Sequence, residues 1–349
     1  MDSLSQLALG AAVSVAAMGR HTTVARAALW GAIAGTLPDL DVFINHGNPI
    51  HNMVLHRSNS HSLLWLTLLS LPLAAIVSKV YGETKHWHRW WLALWLALIT
   101  HPLLDLMTVY GTQLALPFSN FPFAVGSVFI VDPLYTVPLL IGIGWALRKK
   151  GIQADGALPK PFWKNSNTIG LVVSTSYLVW GVAVQQHVKN LVTEALVAKG
   201  VSANQLLVTP TPLNSILWRV VVVDGDNYHE GYYSLLDESR SIHFASYPRN
   251  LLLASELQGN DGINRISAFS HGFYALHEAG ERIIIKDLRM GQEPNYTFSF
   301  AVAERKSPLQ ALDLPEKIKF KPDISCGSGW LWQRIQGQAL PTAAEFCKR

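Results

Sequence analysis

Residues 90–107 read W-W-L-A-L-W-L-A-L-I-T-H-P-L-L-D-L-M. An apolar run of this length is close to the roughly 20 residues that cross a bilayer as a helix. It ends on His101 and Asp105, four positions apart, a spacing that stacks two side chains on one helical face, as a metal ion or a His–carboxylate pair requires. Taken alone, the pair reads equally well as a packing histidine bonded to an aspartate. Pro102 removes a backbone donor between them and predicts a bend.

Three more runs have the same character: Ser62 to Val80, Ser127 to Leu147 and Thr168 to Gln186. The four together predict transmembrane helices. Leu4 to Met18 and Val24 to Leu37 are shorter and rich in Ala and Gly, as in tightly packed helices or a re-entrant pair. The expectation is a multi-pass helical bundle of four to six spans over residues 1–186. No cleavable signal peptide is expected, since Asp2 follows Met1 and no basic region precedes the first apolar stretch.

Composition agrees with a membrane protein: 49% hydrophobic and 15% charged side chains, with a mean hydropathy of +0.20. The net charge of +4 does not indicate a nucleic-acid partner. Residues 187–349 carry 17 basic and 17 acidic side chains, while residues 1–186 carry 11 and 7, so the excess sits in the apolar half and reads as topology. Arg20 and Arg26, then Lys85 and Arg89, then Arg148 to Lys164 mark alternate connections as basic, whereas Thr108 to Gly126 has neither Lys nor Arg. With six crossings, the positive-inside rule places both termini and the tail outside, with P-D-L-D, H-R-S-N-S-H, His101, Asp105 and Asp132 on that same face. Arg57 is the one basic exception.

The polar residues at the ends of these segments form three clusters: Asp39 and Asp41 in P-D-L-D, His56 and His61 in H-R-S-N-S-H, and His101 with Asp105. Ionisable groups at the edge of an apolar span are costly, and their common purpose here is metal binding. Asp39 and Asp41, two apart, share a face only if extended, and a Pro-Asp run is ordinarily a turn or helix cap. His56 and His61, five apart, reach one centre only if His56 lies in the loop and His61 near the first turn of the next helix, for which Ser58 and Ser60 are suitable caps. A water-facing loop is the competing reading. Mixed imidazole and carboxylate donors favour Zn foremost, with Mn or Fe as alternatives. Asp132, in V-D-P-L-Y-T, is either a helix cap or a further ligand or general base. Arg57 is placed to meet a ligand carboxylate or an anionic substrate. His46 and His51 lie in turn-like text and rank lower.

After His187 the pattern becomes that of a small mixed, mainly β, soluble domain over 187–349. Strands are expected at Leu217 to Val223 and Gly231 to Leu236, joined by Asp224-Gly225-Asp226-Asn227, and at Phe273 to His277, Arg282 to Asp287 and Tyr296 to Ala303. Helices are expected at His187 to Lys199 and Leu251 to Gln258. Cys326 and Cys347, the only cysteines, either pair in an oxidising compartment or stay as two thiols. Nothing in the tail indicates its protein partner.

No H-E-x-x-H, Gly-x-Ser-x-Gly or P-loop occurs, which removes zincin, serine-hydrolase and nucleotide readings. The ordered runs M-D-S-L-S-Q, G-T-L-P-D-L-D, H-R-S-N-S-H-S, T-H-P-L-L-D and D-P-L-Y-T resemble the bacterial family of inner-membrane-associated, metal-dependent hydrolases (YdjM-like, also described as LexA-binding hydrolases) over roughly residues 1–150. The resemblance implies an inner-membrane location, metal-dependent hydrolysis, and functional positions at Asp39, Asp41, His56, His61, His101, Asp105 and Asp132. The function expected is a membrane-bound hydrolase in which a metal-activated water attacks an ester or phosphoester of a lipid or envelope compound. In this reading Asp41 or Asp132 takes the proton and Arg57 contacts the anionic group. The other reading is a non-enzymatic membrane protein, either a metal or proton transporter or an envelope scaffold.

Overall fold

The computed structural model describes residues 1–19, 21–148, 166–198, 204–319 and 323–347. The connection from Lys150 to Lys164, read as a short Gly- and Pro-containing loop, lies outside the described residues. The chain divides into two compact units, Met1–Phe43 with Arg57–Val182 and Pro212–Asn214, and Ile44–His56 with Ala183–Thr211 and Ser215–Arg349. The N-terminal region is helical and the C-terminal one mostly β.

Among the described residues, seven α-helices precede the first strand: α1 (Ser3–Met18), α2 (Val24–Thr36), α3 (Pro49–Leu55), α4 (Leu63–Val80), α5 (Trp87–Leu106), α6 (Pro133–Arg148) and α7 (Ser166–Ala198). Starts are set by caps: Asp2 accepts from the amides of Leu4 and Ser5, and Thr23 accepts from that of Arg26. The Ala/Gly character of the first two helices lets their backbones touch. A Cβ on Gly10 would run into the Gly31 carbonyl, and one on Gly35 would lie 2.7 Å from the Gln6 carbonyl oxygen, the small-residue packing by which helices associate in lipid. Trp90, Leu94 and Leu98 of α5 are fully buried in the middle of this unit.

Among the described helices, α4 and α7 combine the length and apolarity needed to cross a membrane. The expected span at Ser127 to Leu147 is shortened to the 16 residues of α6. Its first part is not helical because the amides of Ser127 and Val128 donate to the Met107 carbonyl (2.9 and 3.2 Å) and Pro133 fixes a helix start after Asp132. Conversely, Thr168 to Gln186 and the helix expected from His187 merge into the 33 residues of α7.

The second unit contains α3, the C-terminal part of α7 and two antiparallel four-stranded sheets. The first has the order β1 (Gln205–Pro210), β2 (Leu217–Asp224), β3 (Asn227–Ser234), β4 (Phe244–Pro248). Asp224 pairs with Asn227 across Gly225-Asp226, and Gly225 takes φ +56°, which the two-residue hairpin turn requires. Helices α8 (Leu251–Glu256) and α9 (Asp261–Phe269) follow, and then β5 (Tyr274–Ala279) and β6 (Arg282–Asp287). The strand expected over Tyr296 to Ala303 is broken: Asn295–Tyr296 is β8, hairpinned with β7 (Gly291–Gln292), and Ser299–Glu304 is β9. The Thr297 amide turns back to the Met290 carbonyl, which ends β8 there. β10 (Gln310–Lys317), a polar and largely exposed edge strand, completes the order β10-β9-β6-β5. Val184, Val188 and Val192 of α7 pack with Val208, Val220 and Val222 of the first sheet, and Val221 and Val223 are buried on its other face, so β2 is apolar on both sides and reads as a continuous β-branched run. α10 (Ile324–Ile335) and α11 (Ala343–Phe346) close the chain, and a disulfide joins Cys326 to Cys347, whose Cα atoms are 5.9 Å apart.

Candidate metal centre

Asp39, His61, His101 and Asp105 converge, each offering a donor atom within 4.8 Å of the others. Asp39 and Asp41 lie on a 3-10 turn, Pro38–Phe43, directly after α2. They do not share a face; they take opposite sides of one imidazole. The Asp39 Oδ1 atom is 3.5 Å from His61 Nε2 and 3.4 Å from His101 Nε2, whereas Asp41 Oδ2 is 3.6 Å from His61 Nδ1. Burial alone would raise the Asp39 carboxyl, but the facing imidazoles of His101 and His61 outweigh it and hold the group well below the ordinary carboxylate range.

His61 ends a short turn, Asn59–His61. The cap of α4 is Ser62, not Ser58 or Ser60: its hydroxyl accepts from the Trp65 amide. Ser60 has another task. Its hydroxyl donates to Asp41 Oδ2 (2.5 Å) and lies 2.9 Å from His61 Nδ1, so the proton on that ring sits on Nδ1 and donates to Ser60 Oγ. His101 Nδ1 donates to the Gly35 carbonyl at 2.6 Å, an acceptor that fixes the same tautomer. With Nδ1 engaged in this way, both Nε2 atoms face the centre, and they stand 3.1 Å apart.

Asp105, one turn beyond His101 on α5, uses its two oxygens differently. Oδ1 receives the Met1 amine, Gln6 Nε2 (3.1 Å) and Arg57 Nη2 (3.1 Å). Oδ2 is buried with no hydrogen-bond partner among the described residues, yet it lies 3.3 and 3.4 Å from the Nε2 atoms of His61 and His101. Two imidazole Nε2 atoms, a carboxylate oxygen with no hydrogen-bond partner among the described residues and a second carboxylate face one point, a set that could hold a metal ion. The donor set fits a divalent ion of the Zn, Mn or Fe kind, and each imidazole has the outer hydrogen bond that orients metal-binding histidines.

The other sequence candidates lie outside this group of four. His56 is the C-cap of α3 and belongs to the second unit. Asp41 also accepts from the Arg57 amide (3.0 Å), behind His61. Asp132 accepts from the Leu134 amide (3.0 Å) and the Tyr177 hydroxyl (2.8 Å) at the start of α6. Arg57 is buried, with its guanidinium on Asp105 and Thr108 (3.2 Å) and 4.8 Å over the Tyr110 ring; its Nε has no hydrogen-bond partner among the described residues. Gln6, which also donates to the His101 carbonyl (3.1 Å), was not singled out from the sequence, and Ser60 was read only as a cap. Gln6 lies in the quoted run M-D-S-L-S-Q, and the signal was a polar side chain inside an Ala/Gly-rich helix.

A family model described as YdjM inner membrane protein matches residues 1–188. Among curated proteins, the "Uncharacterized protein YfhP" of Bacillus subtilis (strain 168) is 28% identical over 149 residues, which covers 41% of this chain and 45% of that relative. The chain thus matches less than half the length of the relative. No solved structure matches.

Proposed function

Since the chain belongs to the YdjM inner membrane protein family, we propose that it is a membrane-bound, metal-dependent hydrolase acting on an ester or phosphoester of an amphiphile. The observation that carries this reading is Asp105 Oδ2, which has no hydrogen-bond partner among the described residues, facing the Nε2 atoms of His61 and His101. Asp39, His61, His101 and Asp105 would hold the ion, Zn foremost and Mn or Fe otherwise. Bound there, a divalent ion supplies Lewis acidity and lowers the pKa of water.

The protein's own groups supply the rest. Asp39 is the one member of the four with solvent access, its side chain being 21% exposed against none for the others, so the substrate approaches on its side. Asp41 and Asp132, the bases suggested by sequence, already accept hydrogen bonds that fix His61 and α6. Asp39, the member of the four nearest solvent, would face the incoming water. Arg57 keeps a buried N–H edge for an anionic group. The Asp39 turn presents Leu40, Val42 and Phe43 outward, the last 82% exposed, an apolar rim suited to an acyl chain.

We further propose four to six crossings of the bacterial inner membrane, with the C-terminal domain extracytoplasmic. The Cys326–Cys347 disulfide supports that side, since such bonds persist in oxidising compartments. The test is turnover of phospholipid and lysophospholipid substrates in detergent micelles, with and without added Zn or Mn. Metal-dependent release of a headgroup or acyl chain, absent in His61→Ala, is expected. Substrates untouched by metal-loaded wild type, alongside metal uptake into sealed proteoliposomes, would favour transport.

A further inference from the structure

At the other end of α5 from His101 and Asp105, the α1–α2 and α4–α5 connections meet in one surface of the first unit. Glu83 makes the joint. Its Oε1 accepts from the Thr22 hydroxyl and from Arg26 Nη1, both at 2.9 Å, and its Oε2 accepts from the Trp90 indole at 2.8 Å. Its amide donates to the Ser78 carbonyl (2.8 Å), which seats the turn on the end of α4. The rings of His21 and His86, one from each connection, lie 4.7 Å apart. Arg26 covers the Tyr81 ring at 4.6 Å, and the Tyr81 hydroxyl accepts from the Trp30 indole at 3.0 Å.

Two properties of this surface point to a ligand. The first is uncompensated charge. Glu83 is the single acidic residue of segments 19–31 and 77–95, and Arg26 already engages it. Lys79, Lys85 and Arg89 are exposed, and none of them has an ion-pair partner among the described residues. Fixed positive charge gathered in this way attracts an anion. The second property is depth. Helix α4 is long and apolar enough to cross a membrane and ends at Val80, so the surface begins where such a span ends. Trp30, Tyr81 and Trp87 are of the residue types that settle at headgroup level. Trp87 is 38% exposed, with its ring 4.0 Å from that of His88.

We infer that this surface is a binding site for the anionic phosphate headgroup of a membrane phospholipid. Lys79, Lys85 and Arg89 supply the charge that meets the phosphate, and Trp87 supplies an apolar contact for the lipid beside it. Glu83 is a positioning residue, which holds the two connections together. The site uses no metal ion and none of the residues of the candidate metal centre, so it stands apart from the hydrolase reading.

The test is native mass spectrometry of the full chain released from detergent micelles, titrated with phosphatidylglycerol or with phosphatidylcholine of the same acyl chains. Wild type is expected to prefer phosphatidylglycerol by about tenfold or more. Lys85→Gln/Arg89→Gln is expected to lose about tenfold in that affinity. Lys306→Gln/Lys319→Gln, an equal change of charge at exposed positions of the C-terminal domain, is expected to leave it unchanged. Lys85→Gln alone is expected to lose a smaller part, and it decides if the double variant does not fold. Equal retention of the two lipids by wild type, undiminished binding in Lys85→Gln/Arg89→Gln, or an equal loss in Lys306→Gln/Lys319→Gln overturns the proposal. Displacement by inorganic phosphate at the lipid's own concentration would show a site for free anions and overturn the headgroup assignment.

Discussion

The Nε2 atoms of His61 and His101 stand 3.1 Å apart, with the Nδ1 proton of each ring already given to Ser60 Oγ or the Gly35 carbonyl. With Asp39 and Asp105 they make a cluster that could hold a metal ion, and the outer partners orient the rings.

The relay behind His61 is therefore the first place to probe. Ser60→Ala and Asp41→Asn leave all four donors in place but free the His61 ring to turn. Each is expected to weaken metal affinity about 10- to 100-fold, the usual cost of losing an outer-shell partner. Competition for Co(II) against a chelating dye reads this directly, and unchanged affinity in both variants would show that the relay has no part in orienting the ring.

Gln6 holds the other side of the site. Its Nε2 donates to Asp105 Oδ1 and the His101 carbonyl, while its Oε1 has no hydrogen-bond partner among the described residues. Gln6→Leu removes a useful donor and an orphaned acceptor together, so a modest loss of about 1 kcal/mol is expected. Gln6→Glu places a second carboxylate beside Asp105 and is expected to be the worse of the two in thermal unfolding of the metal-free protein. The reverse ranking would mean that Gln6 does not face Asp105.

The crossing of α1 and α2 gives a contrast among glycines. Gly31→Leu drives a side chain into the Gly10 backbone and Ser14, and a loss of about 3 kcal/mol or failure to assemble is expected. Gly144 of α6 has nothing within 4 Å of an added Cβ and no left-handed backbone. Gly144→Ala is expected to be neutral or to stabilise by up to ~1 kcal/mol. Detergent-resistant folding, followed by melting temperature, separates the two.

Cys326 and Cys347 test sidedness. With the C-terminal domain in an oxidising compartment, neither cysteine should accept a maleimide label in denatured, unreduced protein, and both should after reduction. Cys326→Ser is expected to cost about 3 kcal/mol, as for a loop of this size. Free thiols in freshly extracted wild type would place the domain on the reducing side.

Much of this architecture was readable from residue order. The i, i+4 spacing of His101 and Asp105 and the Asp224–Asn227 turn act locally, so their structures follow from a few neighbours. What could not be read depends on distant partners. Asp39 and Asp41 take opposite sides of the His61 ring because a 3-10 turn, not an extended segment, follows α2. Ser60 is drawn from capping by Asp41, 19 residues away. β10 went unnoticed because an edge strand with exposed charges lacks the apolar alternation that reveals its neighbours, and α3 is too short to show a period.

The most direct measurement is elemental analysis by mass spectrometry of detergent-purified wild type beside His61→Ala and Asp105→Ala. About one Zn, Mn or Fe per chain in wild type, lost from both variants while each keeps its helical circular dichroism, is the result predicted for an ion held by these side chains. Metal-free wild type purified without chelator, or metal retained in both variants, would contradict it.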